Sequence, residues 1–174
     1  MPAHATATPS KEFVISRVFD APRDLVWRCF TQVEHLKQWW GPKGVKIAKA
    51  EVDLRAGGFF HYAMQPPSGD LMWGKMAYRE ITPPDRIVFI NSFSDEAGGI
   101  TRHPMAPSWP LQMLSIFTFE DMPGGKTKFT VHWSPYEATS EEQATFGSDQ
   151  SRVSMTNGWT GTMDQLEAYL ATTK

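Results

Sequence analysis

Ser140–Leu170 reads SEEQATFGSDQSRVSMTNGWTGTMDQLEAYL. Within it Met155, Trp159, Met163, Leu166 and Leu170 recur at steps of four, four, three and four. That spacing puts them on one face of an α-helix. Ser140 with Gln143 three residues on matches a capping box. Gly147-Ser148-Asp149 and Asn157-Gly158 weaken the run, because glycine costs about 1 kcal/mol per interior helix position. The stretch is therefore expected to form a short helix, a break near Gly147, and a longer segment from about Asp149 that closes the fold. Its buried face carries Met and Trp rather than Leu and Val. That suits ordinary packing on a sheet, and it also suits the lining of a cavity, since Met fills irregular space.

Upstream of this helix the patterns are mostly those of strands. Phe13–Phe19 (FVISRVF) is β-rich. Asp20-Ala21-Pro22 then reads as a helix start with a capping Asp and an early Pro, giving a helix with Leu25, Val26, Cys29 and Phe30 on its apolar side. A second short helix is expected near Val33–Trp39, stopped by Gly41-Pro42. Strands follow at Val45–Leu54, with Ala48, Ala50, Val52 and Leu54 on one face, at Phe59–Gln65, Leu71–Ile81 and Arg86–Ser92. The last two are Leu111–Glu120 and Lys126–Trp133. Gly57-Gly58, Pro66–Gly69, Thr82–Asp85 and Met122–Gly125 supply the turns. Ser94–Pro110 is long and irregular for a compact domain, and such loops commonly carry function. The predicted fold class is α+β: a curved antiparallel sheet of about seven strands around a long C-terminal helix, with two short helices after strand one. Residues 1–10 (MPAHATATPS) are expected to be a disordered tail and 11–174 one domain.

Bulk properties narrow the function. A chain of 174 residues suggests a single domain. Net charge is −2 and no basic run occurs, which argues against nucleic acid as a partner. No stretch approaches the ~20 apolar residues of a membrane span, and the N-terminus lacks a signal-peptide pattern. A lone cysteine, Cys29, forms no internal disulfide and fits a reducing, cytoplasmic setting. Seven Trp and eleven Phe favour a large aromatic-lined interior.

Several motifs together resemble a known family. They are Phe19-Asp20-Ala21-Pro22 with Val26-Trp27, then Trp39-Trp40-Gly41-Pro42, then Leu54-Arg55-Ala56-Gly57-Gly58-Phe59-Phe60. Gly74 follows, ahead of Glu80-Ile81-Thr82-Pro83-Pro84-Asp85-Arg86-Ile87-Val88-Phe89, and last comes Gly158-Trp159 with Met163-Asp164-Gln165-Leu166. In this order, over residues 12–171, the chain resembles the family of the activator of the heat-shock protein 90 ATPase, in its single-domain bacterial-type subgroup. That family lies in the START/birch-pollen-allergen-like (SRPBCC) helix-grip superfamily. The resemblance implies a sheet gripping a helix with a ligand cavity between them. It implies homology rather than chaperone activation, because the co-chaperone's preceding chaperone-engaging domain has no room here. It leaves binder, enzyme and partner module open, since one scaffold hosts all three.

Candidate residues follow from that architecture. Trp39 and Trp40 are adjacent, about 100° apart on a helix, so one is expected in the core and one at the cavity mouth. Met64, Trp73, Phe89 and Trp109 are large residues within reach of the cavity from sheet or loop, and Met155, Trp159 and Met163 line it from the helix. His61 and His103 are the candidate catalytic groups for a cyclase- or hydrolase-type enzyme. No metal-ligand spacing, P-loop, GxSxG or dinucleotide fingerprint occurs, so neither metal nor cofactor is expected. The leading expectation is a small hydrophobic or lipid-like ligand held under residues 94–110 as a lid. The alternatives are that enzyme and a stress-response interaction module, and a homodimer stays open.

Overall fold

In the computed structural model, which describes residues 12–42 and 44–173, one antiparallel sheet curves around one long helix. The tail expected at residues 1–10 lies outside the described residues. The elements are β1 (Phe13–Phe19), α1 (Arg23–Thr31), α2 (Val33–Trp39), β2 (Lys46–Asp53), β3 (Phe59–Gln65), β4 (Met72–Thr82) and β5 (Arg86–Ser94). They continue with β6 (Ile100–Thr101), β7 (Met113–Met122), β8 (Lys126–Pro135), α3 (Ser140–Phe146) and α4 (Asp149–Thr173). The sheet order is β1-β8-β7-β5-β4-β3-β2, with β6 paired to β5 off this path. The fold is the expected α+β helix-grip arrangement.

Alternation explains the inner face. Phe60, Met76, Tyr78, Phe89, Phe117 and Phe129 are all buried and project from neighbouring strands into one core. Helix α1 adds Phe30, stacked on Phe129 with ring centroids 4.4 Å apart and edge-on to Phe117 and Phe119 at 5.3 Å. Helix α4 closes the core with Met155, Trp159, Met163, Leu166 and Leu170, all buried. Gly158 does not interrupt α4, which runs 25 residues without a break. The break falls at Gly147, which caps α3.

Local details differ from the sequence reading, each for a physical reason. The N-cap of α1 is Pro22, whose ring has no capping group, and not Asp20. The capping box uses Thr139 and Glu142, one residue before Ser140 and Gln143. The Glu142 amide donates to Thr139 Oγ1 at 3.1 Å and the Thr139 amide to Glu142 at 2.9 Å. In β2 the register shifts between Ile47 and Lys49, so Ala48 is exposed while Ile47, Ala50 and Val52 pack inward. Leu54 falls beyond the strand and is 40% exposed. A second register shift, in β4, sits between Tyr78 and Glu80. Gly74 serves close packing: a Cβ there would lie 2.6 Å from the Tyr62 ring carbon and hydroxyl. The loop after β5 folds back through Asp95–Gly99 and pairs again as β6, opposite Phe93 and Ser94.

Candidate functional site

A cavity of about 870 Å³ opens between the sheet, residues 100–110 and the two C-terminal helices. Its size lies in the range of small-molecule sites. One side is aromatic with a single Met: Trp40, Tyr62, Met64, Phe93 and Trp133. The opposite side is α3 and α4, with Thr145, Ser148, Ser151, Ser154 and Thr162. Met155, Gly158 and Trp159 form the α4 base, and His103, Ala106 and Trp109 come from the loop.

The structure separates the two adjacent tryptophans. Trp39 turns into the core, where its indole N–H donates to the Cys29 carbonyl at 2.9 Å and its ring meets Phe30 edge-on. Trp40 stands on the cavity wall, edge-on to Tyr62 at 5.9 Å and to Trp159 at 6.1 Å. Met64, Trp109, Met155 and Trp159 also line the cavity. Phe89 and Met163 pack in the core and do not line it. Trp73 stands away from it as well: its ring stacks on His61 at 4.9 Å, with Lys49 over it at 5.8 Å. It borders only a smaller recess of about 150 Å³ next door.

The two histidines sit in different environments. His61 is no part of the cavity wall; its Nε2 lies 3.1 Å from the Asp95 carbonyl. His103 does line the wall, against Phe93 at 4.7 Å. Its Nδ1 accepts the Met105 amide at 3.0 Å, so the neutral ring carries its proton on Nε2. Burial lowers its pKa below the ordinary imidazole value, keeping it neutral at pH 7. In that tautomer Nε2–H is a donor, and the Nδ1 lone pair is already taken by the Met105 amide. Cys29 is fully buried, and burial pushes its thiol up to about 11, which leaves it unreactive. Among the described residues no cluster of three His, Cys, Asp or Glu is placed to hold a metal.

The loop over the cavity is fastened. Arg102 donates to Glu142 at 2.5 Å, Thr145 Oγ1 donates to Ser108 Oγ at 3.0 Å, and Trp109 packs on Phe146. The Arg102 guanidinium, with the amides of Thr139 and Leu111, holds the buried Glu142 carboxyl below its ordinary value of 4.5. A carboxyl depressed this way stabilises the closed arrangement above pH 4.5, and the contribution fades as pH falls through the lower, folded value. Glu142→Gln keeps the capping box and removes the charge. It is expected to cost about 1 kcal/mol, because Arg102 is half exposed, and to increase proteolysis within residues 100–110 at pH 7. Lowering the pH below 4.5 should loosen the wild-type loop and leave the variant little changed; an equal response in both would rule out Glu142 as the latch.

Tyr62, Phe93, Trp133 and Gly158 also form the wall, and sequence reasoning passed over them. Burial raises the Tyr62 phenol, with a Trp40 hydrogen bond pulling the other way, so it stays neutral. The indole N–H groups of Trp133 and Trp159 are buried without an acceptor among the described residues. Gly158 did carry a signal: it is a helix-weakening residue on the same face as Met155 and Trp159.

Comparison with known proteins agrees with this fold. Residues 20–171 match the family model described as Activator of Hsp90 ATPase homolog 1-like protein. No curated protein matches the sequence. Among solved structures, a Rhodobacter sphaeroides protein is similar with a TM-score of 0.74 at 16% identity, covering 95% of each chain. Protein Ms6760 of Mycobacterium smegmatis gives 0.72 at 22%, covering 92% of this chain and 91% of its own. Protein NE0264 of Nitrosomonas europaea gives 0.71 at 26%, covering 92% and 94%.

Proposed function

Since the chain belongs to the Activator of Hsp90 ATPase homolog 1-like family and shares its single-domain fold, we propose that it binds a small hydrophobic or amphipathic molecule between sheet and α4, with residues 94–110 as the lid. Binding draws on apolar area from Trp40, Met64, Trp109, Met155 and Trp159, at about 25 cal/mol per Å² before the costs of association. The cytoplasm suits such a protein, because its one thiol is buried and needs no oxidising partner.

One observation carries this reading. Gly158 stands in the middle of a 25-residue helix, on the cavity wall, and a Cβ added there meets nothing within 4 Å. Stability alone favours alanine at such a position by about 1 kcal/mol. Keeping glycine preserves space. Gly158→Ala is therefore expected to raise the unfolding free energy by about 0.5–1 kcal/mol. Gly158→Phe should keep the fold and put a ring into the cavity against Trp159, obstructing it from the α4 side. Native mass spectrometry of the purified protein, followed by denaturation, should show a small molecule on the wild type and the bare-chain mass for Gly158→Phe. A wild type at bare-chain mass that also fails to bind neutral hydrophobic dyes would defeat the proposal.

A further inference from the structure

The sequence holds seventeen lysines and arginines, and among the described residues none stands on the cavity wall. The neighbouring cations are engaged elsewhere. Arg102 is held by Glu142. Arg152 of α4 donates to the Glu12 carbonyl and lies over the Phe146 ring at 5.1 Å. Lys75 donates to the Gly98 carbonyl, and Lys49 lies over Trp73. The titratable groups on the wall are His103 and Tyr62, both neutral at pH 7, and the exposed Glu141, an anion.

Three of the five hydroxyls of the helical side add a second bias. Thr145 donates its one O–H to Ser108, Thr162 donates to the Gly158 carbonyl, and Ser148 donates within its own turn. Each keeps only lone pairs for a guest. Lone pairs accept from a hydroxyl or N–H and repel a carboxylate. A buried anion here would be desolvated with no counter-charge on the wall; the neutral donors there, His103 Nε2–H and the Trp133 and Trp159 indole N–H groups, carry no full charge to offset that cost.

From this arrangement we infer that the cavity selects an uncharged guest, apolar on one side and bearing hydroxyl or N–H donors along the other, and discriminates against anions such as fatty-acid carboxylates. The inference rests on the cavity reading above, and its test separates the two. N-phenyl-1-naphthylamine and 1-anilinonaphthalene-8-sulfonate share one ring framework and differ by a sulfonate. The neutral dye should bind the wild type at least about tenfold more tightly than the sulfonate. Gly158→Phe should abolish that binding. Ser154→Lys, at an exposed wall position, should raise sulfonate affinity and leave the neutral dye little changed. Equal affinities for the two dyes, both lost in Gly158→Phe, would overturn the charge selectivity and leave the cavity as a binding site. Binding of neither dye, or binding indifferent to Gly158→Phe, would overturn both.

Discussion

Phe129→Ala is expected to lower the unfolding free energy by about 3–5 kcal/mol. The side chain is fully buried, and it joins three layers of the fold. Its ring stacks on Phe30 of α1 and meets Phe117 and Phe119 of β7 at 5.0 and 5.3 Å. It also lies 6.4 Å from Trp159 of α4 and 6.4 Å from Phe19 of β1. Truncation removes contacts on every side, and rings held by their own strands and helices collapse poorly into the gap. Domains of this size are stable by about 5–15 kcal/mol, so the variant sits near the edge of folding. Urea denaturation would check it, as a lower midpoint with an unchanged slope. A loss under about 1 kcal/mol would mean that the aromatic cluster repacks freely and is not what fixes α4 on the sheet.

Gly58→Ala should be nearly as damaging, for an unrelated reason. A Cβ at Gly58 would lie 2.0 Å from the Asp53 carbonyl oxygen and 3.0 Å from that of Arg55. Both are backbone atoms of the β2–β3 turn, and neither can retreat alone. The turn is also tied to β4, since the Gly57 amide donates to Tyr78 O and the Tyr78 amide to Gly58 O, each at 2.9 Å. Relief of the clash must break that tie, so a loss of about 3 kcal/mol or more is expected. Gly57→Ala makes the control. Gly57 has a φ of +87° with an arginine side-chain atom 3.7 Å from the added Cβ, so the cost is left-handed strain of about 1–2 kcal/mol. If the Gly57 variant proved the less stable of the two, close approach to Asp53 would not be the controlling factor.

The two glycines also show what the sequence made legible. Gly57-Gly58 marks a turn by composition, yet only coordinates reveal that one glycine serves a backbone angle and the other a contact. The helical face from Met155 to Leu170 and the break at Gly147 were readable because each rests on local periodicity or on one residue's conformational preference. The same holds for the hairpin turns. Which strand face lines the cavity was not readable. Parity along a strand is lost at each bulge, and bulges lie between Ile47 and Lys49 and between Tyr78 and Glu80. One residue of parity separates His61, which stacks on Trp73, from Tyr62, which faces Trp40. The wall draws on β3, β5, β8, the 100–110 loop and both C-terminal helices, and no sequence window contains it. The capping box shows the same one-residue ambiguity. Thr139/Glu142 and Ser140/Gln143 both fit the pattern, and Glu142 is the one that meets Arg102.

Glu142 holds two posts at once, as the reciprocal cap of α3 and as the acceptor for the lid arginine. The two contacts use different carboxylate oxygens, so the loop and the first turn of α3 are linked through one side chain without being one event. If the cavity binds a guest as proposed, its exit rate depends on how firmly that first turn is held as well as on how much apolar surface the guest covers. Occupancy lifetime and affinity become separately adjustable. On the proposed reading, a change in helix propensity at the exposed position 140 would lengthen or shorten residence without touching the wall, to which Glu141 belongs.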